Sequence, residues 1–326
     1  MNNKNLFQRR TVLERAFIFF ILFAFFPGCG TPPTPKTVDS DKRYLIINGD
    51  DLCLDEKTNQ AILSAFNEGI LTSTTAFISL PGSVETLKKI HKENPDLPVG
   101  LHLNLTLGRP VSDPSEVKGI VDEKGNFYDI SKILRHLPDM SVEDVRKEFM
   151  AQAALFVSSG VPLDHIDYHH HLAALYTPFF EVVREVALAY DVPVRNPVPA
   201  SIYKMISLDS QGGGGSASMK KLILFGITHP FKSIPMMSKV GPESFMEQEK
   251  QMVQEGIRSS DWFVDCFYEN ATTENFISIL QQLPIGISEI MCHPGMGNEL
   301  KVLTDESLGQ VIDSLQIQLV SWGHVK

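Results

Sequence analysis

From residue 43 onward, short apolar runs alternate with stretches whose apolar positions recur at helical spacing. Tyr44–Asn48 is the first such run, and Asp55–Glu68 follows with Ile62, Ala65 and Phe66 on one helical face ahead of Gly69, a residue suited to a C-cap. Thr72–Ser79 is β-branched and predicts a strand; Ser83–Glu93 predicts a helix. Val99–Thr106 alternates with period two, placing Val99, Leu101, Leu103 and Leu105 on one face and His102, Asn104 and Thr106 on the other. Ser141–Ser158 reads as a helix with Ser141 as N-cap and acidic residues in its first turn. His165–His169 then predicts a strand, Pro178–Ala189 a helix and Val192–Arg195 a strand. Further on come a helix (Glu243–Glu255), a strand near Trp262–Phe267, a helix (Thr273–Leu283), a strand (Ile287–Cys292) and a closing helix near Asp305–Leu315, with Leu319–Trp322 as a candidate eighth strand.

Six to eight βα units in about 280 residues predict one α/β domain, a parallel TIM-like (β/α) barrel, complete or distorted. A doubly wound sheet is the competing arrangement, and no Gly-rich phosphate loop supports it. Two segments break the rhythm. Gly108–Ile130 is a long loop after the third strand, of the kind that shapes an active-site mouth. Ser201–Gly241 contains four consecutive glycines, Gly212–Gly215, and reads either as a surface insertion or as a lid over substrate.

Composition narrows the function classes. The 326 residues are 43% hydrophobic, enough for a real core, and the net charge of −10 argues against nucleic acid as a partner. Lys4, Arg9, Arg10 and Arg15 precede an apolar run from Ala16 to Phe26, too short for an ordinary spanning helix. This is the layout of a secretory signal, and Gly28-Cys29 at its end resembles a bacterial lipobox, in which the Cys carries the lipid. Residues 1–28 are therefore expected to be a signal peptide, 29–42 a flexible tether and 43–326 the catalytic domain. Beyond Cys29, only Cys53, Cys266 and Cys292 remain, widely spaced and without a CxxC pair, so they predict thiols and no zinc knuckle.

Candidate chemistry gathers at strand ends. Asn48-Gly49-Asp50-Asp51 ends the first strand with two carboxylates, one able to bind metal while its neighbour handles a proton. His102 lies on the polar face of an otherwise apolar strand. His165-Ile166-Asp167-Tyr168-His169-His170-His171 holds four of the chain's ten histidines in seven residues. By period-two alternation His165, Asp167, His169 and His171 share one face, giving a metal ligand together with groups that fix its tautomer, and His170 is the bystander. Met291-Cys292-His293-Pro294-Gly295 leaves His293 at a strand's C-terminal end, where barrel enzymes place reacting groups.

These segments resemble the YdjC-like carbohydrate deacetylases, which include the chitooligosaccharide deacetylases. The family's Asn-x-Asp-Asp-x-Gly opening is matched by Asn48-Gly49-Asp50-Asp51-Leu52, with Cys53 in place of the Gly. Its Gly-x-His-x-x-Leu-Thr pattern is met by Gly100, His102, Leu105 and Thr106, and Ile70–Thr75 also matches. His165–His171 fits its His-x-Asp-x-His-His-His segment, with Ala173 where a further His is usual; Met291-Cys292-His293-Pro294 resembles its late His-Pro motif. The likeness runs over residues 43–322. It implies a distorted TIM-like barrel and one divalent metal, Mg²⁺ by resemblance with Zn²⁺ or Mn²⁺ also suited to the donors, held by Asp51, His102 and His169. It further implies Asp50 as general base, His293 as general acid and Arg195 as a group orienting Asp50, with His165, Asp167 and His171 in supporting positions. Loss of the His at Ala173 is expected to alter substrate rather than chemistry.

The expected reaction is hydrolysis of an N-acetyl group on an amino sugar or oligosaccharide. A lipid-anchored glycan binder on the same scaffold, or a metal-dependent O-acetyl esterase, are the alternatives. Expected partners are the acetylated saccharide and, through the anchor, a membrane outside the cytoplasm; a homodimer stays open. The anchor predicts that the mature chain begins at lipidated Cys29 and resists salt washing, because an acyl chain holds it through apolar contact. Fractionation of cells expressing wild type and Cys29→Ser should find the first in membranes and the second in the soluble fraction. Both in the soluble fraction would mean simple secretion, and both in membranes an uncleaved anchor.

Overall fold

The first apolar run becomes β1 (Arg43–Leu52), a ten-residue strand buried from Tyr44 onward. In the computed structural model, which describes residues 41–203, 206, 242–267 and 271–325, β1 is the axis of the sheet. The expected signal peptide, Cys29, nearly all of the tether and nearly all of the Ser201–Gly241 insertion lie outside the described residues.

Around β1 stand β2 (Ser73–Ala76), β3 (Val99–Leu103), β4 (Ile166–Tyr168), β5 (Trp262–Val264), β6 (Gly286–Cys292) and β7 (Ile317–Leu319). Among the described residues every strand pair is parallel, in the order β4-β3-β2-β1-β6-β5. β7 pairs with Arg43–Leu45 at the foot of β1, on the side that β2 occupies higher up from Asn48. The candidate eighth strand therefore begins two residues earlier than predicted and is short; Trp322–His324 is a 3-10 turn.

Among the described residues, the predicted strand Val192–Arg195 forms no ladder. Only Val194 bridges Ile166 of β4, and Pro199 bridges Phe263 of β5. Pro193, Pro197 and Pro199 lack the N–H that a ladder needs, so this segment crosses between the outer strands as an irregular strap. The result is an α/β fold in which a parallel sheet curls into a half-barrel, flanked by helices.

Helix boundaries follow local chemistry. Asp55 accepts from Thr58 N at the start of helix Glu56–Asn67, Ser141 from Asp144 N before Val142–Ser158, and Thr272 from Asn275 N before Thr273–Gln282. Ser83–Glu93, Thr177–Tyr190, Pro242–Glu255 and Ser307–Ser314 complete the longer helices. The long Gly108–Ile130 loop contains a 3-10 turn at Lys118–Ile120 and an antiparallel bridge between Val121 and Phe127. The buried Glu148 carboxylate holds it by accepting from Val111 N and Ser112 N, each at 2.9 Å.

At the N-terminal ends of the strands, Trp322 packs with Tyr44, Ile46, Ile287 and Val325 in a small cluster that closes the foot of the sheet. Its side chain is fully buried, so Trp322→Ala should cost about 3–5 kcal/mol of stability. Leu319→Ala, at a position 40% exposed, should cost under about 1 kcal/mol. Urea unfolding of the two variants checks the difference.

Candidate active site

Adjacent residues of a regular strand point to opposite faces, yet Asp50 and Asp51 both enter the interior. The pairing of β1 with β2 shifts register between Gly49 and Leu52, and Asp51 takes a left-handed backbone with φ 74°. This bulge re-aims one carboxylate so that both serve the same site. Cys53 is left-handed too, with φ 69°, which is the conformation that explains Gly as the usual residue there. Its N–H donates to Asn59 Oδ1 at 2.7 Å, so the turn is held despite the Cβ.

Three side chains converge over the sheet. Asp51 Oδ1 lies 3.2 Å from His102 Nε2 and 3.2 Å from His169 Nδ1, and the two ring nitrogens are 3.1 Å apart. His102 Nδ1 donates to Asp167 Oδ1 at 2.6 Å, so its Nε2 turns a lone pair toward the other two atoms. Three acceptor atoms thus face one another in a buried place, an arrangement that repels unless a cation or proton sits among them. Among the described residues, Asp51 Oδ1 has no hydrogen-bond donor. Ligand bonds of about 2.0–2.2 Å set near right angles put donor atoms about 3 Å apart, so the triangle fits one small divalent ion. Phe77 walls this cluster, its ring edge-on to His102 and His169 at centroid distances of 5.0 and 4.8 Å.

Asp50 is held apart from the triangle. Arg195 Nη1 donates to Asp50 Oδ2 and Nη2 to Oδ1, both at 2.7 Å. The same fully buried guanidinium meets Asp167 Oδ2 at 2.9 Å and Glu289 Oε1 at 2.8 Å, and lies over the Phe263 ring. Burial opposes ionisation of Asp50, but the Arg195 charge outweighs it and holds the carboxyl well below the usual range. For Glu289 burial wins over Arg195, and its carboxyl is pushed up to about 8. His102 feels the reverse pull: burial works against its charge, yet Asp167, Asp51 and Asp50 raise it to about 10.

His165, Asp167 and His169 do enter the interior, but at three depths. His165 sits at the foot, 3.1 Å from Asn48 Oδ1 and stacked on Trp322; Asp167 lies between Thr75, His102 and Arg195; His169 is at the mouth. His171 also comes to the site, but not by strand alternation. The strand stops at Tyr168, and His169–His171 form a 3-10 turn in which His170 and His171 are left-handed. That twist carries the His171 ring to Phe263 of β5, 5.3 Å away, where burial and the Arg195 charge push its pKa down to about 3. His170 is exposed and meets Thr106 Oγ1 at 3.0 Å.

His293 follows β6, half-buried, with its backbone N–H donated to Glu299 Oε2, and it lies within electrostatic reach of Asp50, His169 and His171. Sequence reading gave no role to Thr75, Phe77, Glu289 or Trp322. Glu289 alone carried a signal, a carboxylate inside the apolar run Ile287–Met291. Ala173 is buried within the short helix Leu172–Leu175.

A family model described as YdjC-like protein matches residues 44–314. The chain belongs to the YdjC-like family. A carbohydrate deacetylase of Brevibacillus brevis is 30% identical to this YdjC-like chain over 298 residues, covering 86% of it and 99% of the relative. A carbohydrate deacetylase of Clostridium beijerinckii is 29% identical over 296 residues, covering 85% and 98%. A chitooligosaccharide deacetylase of Yersinia enterocolitica is 28% identical over 300 residues, covering 86% and 98%. Among solved structures, a putative cellobiose-phosphate cleavage protein of Enterococcus faecalis superposes with a TM-score of 0.67 at 24% identity, covering 86% of this chain and 98% of its own; it shares the fold.

The raised carboxyl of Glu289 makes a stability prediction. The folded chain keeps this proton up to about 8, whereas an unfolded chain releases it near pH ~4.3. The folded state binds more protons across that window, so stability falls as pH rises through it. Glu299, also pushed up to about 8 by burial, adds to the slope. Glu289→Gln keeps the shape and removes the titration, so its unfolding free energy in urea should fall less steeply than wild type between pH 5 and 8. Equal slopes would reject the assignment.

Proposed function

We propose that this chain is a divalent-metal-dependent carbohydrate N-deacetylase, acting on an acetylated amino sugar or oligosaccharide. The observation that carries the reading is the buried triangle of Asp51 Oδ1, His102 Nε2 and His169 Nδ1 beside an Asp50 clasped by Arg195. The relatives spanning the domain are named carbohydrate and chitooligosaccharide deacetylases, which supplies the substrate class.

Asp51, His102 and His169 would hold the ion, read as Mg²⁺ from the family, with Zn²⁺ or Mn²⁺ also suited to the donors. A bound divalent ion would polarise the acetyl carbonyl and acidify a neighbouring water. Asp167 fixes the His102 tautomer. Asp50 accepts the proton of the attacking water, and Arg195 keeps it unprotonated beforehand, the state from which a base must start. His293, half-buried at the strand ends, donates a proton to the departing amine as the C–N bond breaks, leaving acetate and a free amino sugar. Export and lipidation at Cys29 would place this chemistry beside glycans outside the cytoplasm; the basic leader, apolar run and Gly28-Cys29 junction support that placement.

The test separates ligands from base. His169→Ala, purified with excess divalent metal and analysed for metal content, should be folded and largely metal-free, with no acetate release. Asp50→Asn should keep its metal and lose at least about 100-fold in turnover. Full metal in His169→Ala would remove it from the ligand set, and an apo Asp50→Asn with metal-loaded Asp51→Asn would reverse the two carboxylates. Acetate release from O-acetyl but not N-acetyl sugars would make the chain an esterase. Saccharide binding without any acetate release would make it a binder.

A further inference from the structure

At the foot of the sheet, His165 is fully buried and fixed from three directions. Its ring stacks on Trp322 at 4.6 Å with an interplanar angle of 14°. Its Nδ1 lies 3.0 Å from Asp164 Oδ2. Gly100 makes room for it, since a Cβ there would come within 2.7 Å of ring atoms Cε1 and Nδ1. Its Nε2 meets Asn48 Oδ1 at 3.1 Å, and Asn48 Nδ2 donates to Asp50 Oδ1 at 2.9 Å.

The polarity of this chain is determined. Asp50, clasped by Arg195, is an acceptor at both oxygens, so the Asn48 amide must turn its NH₂ toward Asp50 and its oxygen toward His165. Two donors lock that orientation: His165 Nε2–H, and Ser73 Oγ–H at 2.7 Å. Among the described residues, Asp50 Oδ1 then receives two donors, Asn48 Nδ2 and Arg195 Nη2, whereas Oδ2 receives only Arg195 Nη1. The unequal loading leaves Oδ2 as the better proton acceptor.

We propose that Asp164, His165 and Asn48 form a positioning relay that saturates Asp50 Oδ1 and reserves Oδ2 for the attacking water. His165 is thus a positioning residue acting through Asn48, at the opposite end of the sheet from the metal triangle. The inference rests on the reading of Asp50 as general base.

His165→Phe keeps the aromatic stack on Trp322 and deletes the Nε2–H; His165→Gln returns an amide donor near the same place. With N,N′-diacetylchitobiose and saturating divalent metal, His165→Phe should lose about tenfold in kcat, the loss expected for about 1.4 kcal/mol of transition-state stabilisation. KM and metal content should stay within twofold. His165→Gln should recover most of that loss. A wild-type kcat in His165→Phe overturns the relay, as does metal lost in proportion to activity, or a folded His165→Gln as impaired as His165→Phe. If His165→Phe does not fold, Asp164→Asn, altered at a side chain 21% exposed, should show a smaller kcat loss of about threefold at constant KM, and an unchanged kcat there overturns the relay. If wild type releases no acetate, the deacetylase reading fails on its own. The crystal structure of His165→Phe then decides the relay: a rotated Asn48 amide with Asp50 displaced supports it, and an unmoved pair overturns it.

Discussion

A fully buried guanidinium is costly to desolvate, and Arg195 is stable in the middle of this sheet only because carboxylates surround it. Asp50, Asp167 and Glu289, from β1, β4 and β6, all reach it within 2.9 Å. The arginine itself comes from the irregular strap between the outer strands, so one side chain ties the open side of the half-barrel to its centre. Removing it would leave three carboxyl groups buried without their cation, which is far worse than losing an ordinary ion pair.

The same contacts sort the carboxylates into different states. Asp50 takes both forks of the guanidinium and stays ionised. Glu289, with a single oxygen engaged, keeps its proton toward pH 8. Asp167 gives one oxygen to Arg195 and the other to His102 Nδ1, and this second bond aims the His102 lone pair at Asp51 and His169. The geometry of the Asp51–His102–His169 triangle is therefore downstream of Arg195. A deficit of positive charge remains at its centre and shows itself in the upward pull on His102. A cation among the three donors answers that deficit in the same way as a proton.

Much of this was readable from the chain. Helix boundaries fell within one or two residues of expectation wherever a cap was present, because Asp55, Ser141 and Thr272 each satisfy an exposed N–H locally. The residues at the site were readable as types at strand ends. What could not be read was their division of labour, which depends on contacts across 65 to 145 positions of sequence, as between Asp167 and His102 or Arg195 and Asp50. Alternation also failed where strands stopped being regular. It does not foresee that Asp50 and Asp51 share one interior, which a bulge brings about, nor that His171 reaches the site through a left-handed turn.

Those irregularities are concentrated where the chemistry is. Among the described residues six non-glycine positions have positive φ, and four of them, Asp51, Cys53, His170 and His171, lie in the two loops that present Asp51 and His169. A left-handed non-glycine residue costs roughly 1–2 kcal/mol, so these loops hold strain. The surroundings offset it: Asn59 takes the Cys53 N–H, Thr106 holds His170, and Phe77 backs the His102 and His169 rings. Regular strand geometry would send Asp50 and Asp51 to opposite faces of β1. The bulge is thus the condition for both carboxylates to enter one site, and the packed foot of the sheet around Trp322 supplies stability that lets the mouth carry it.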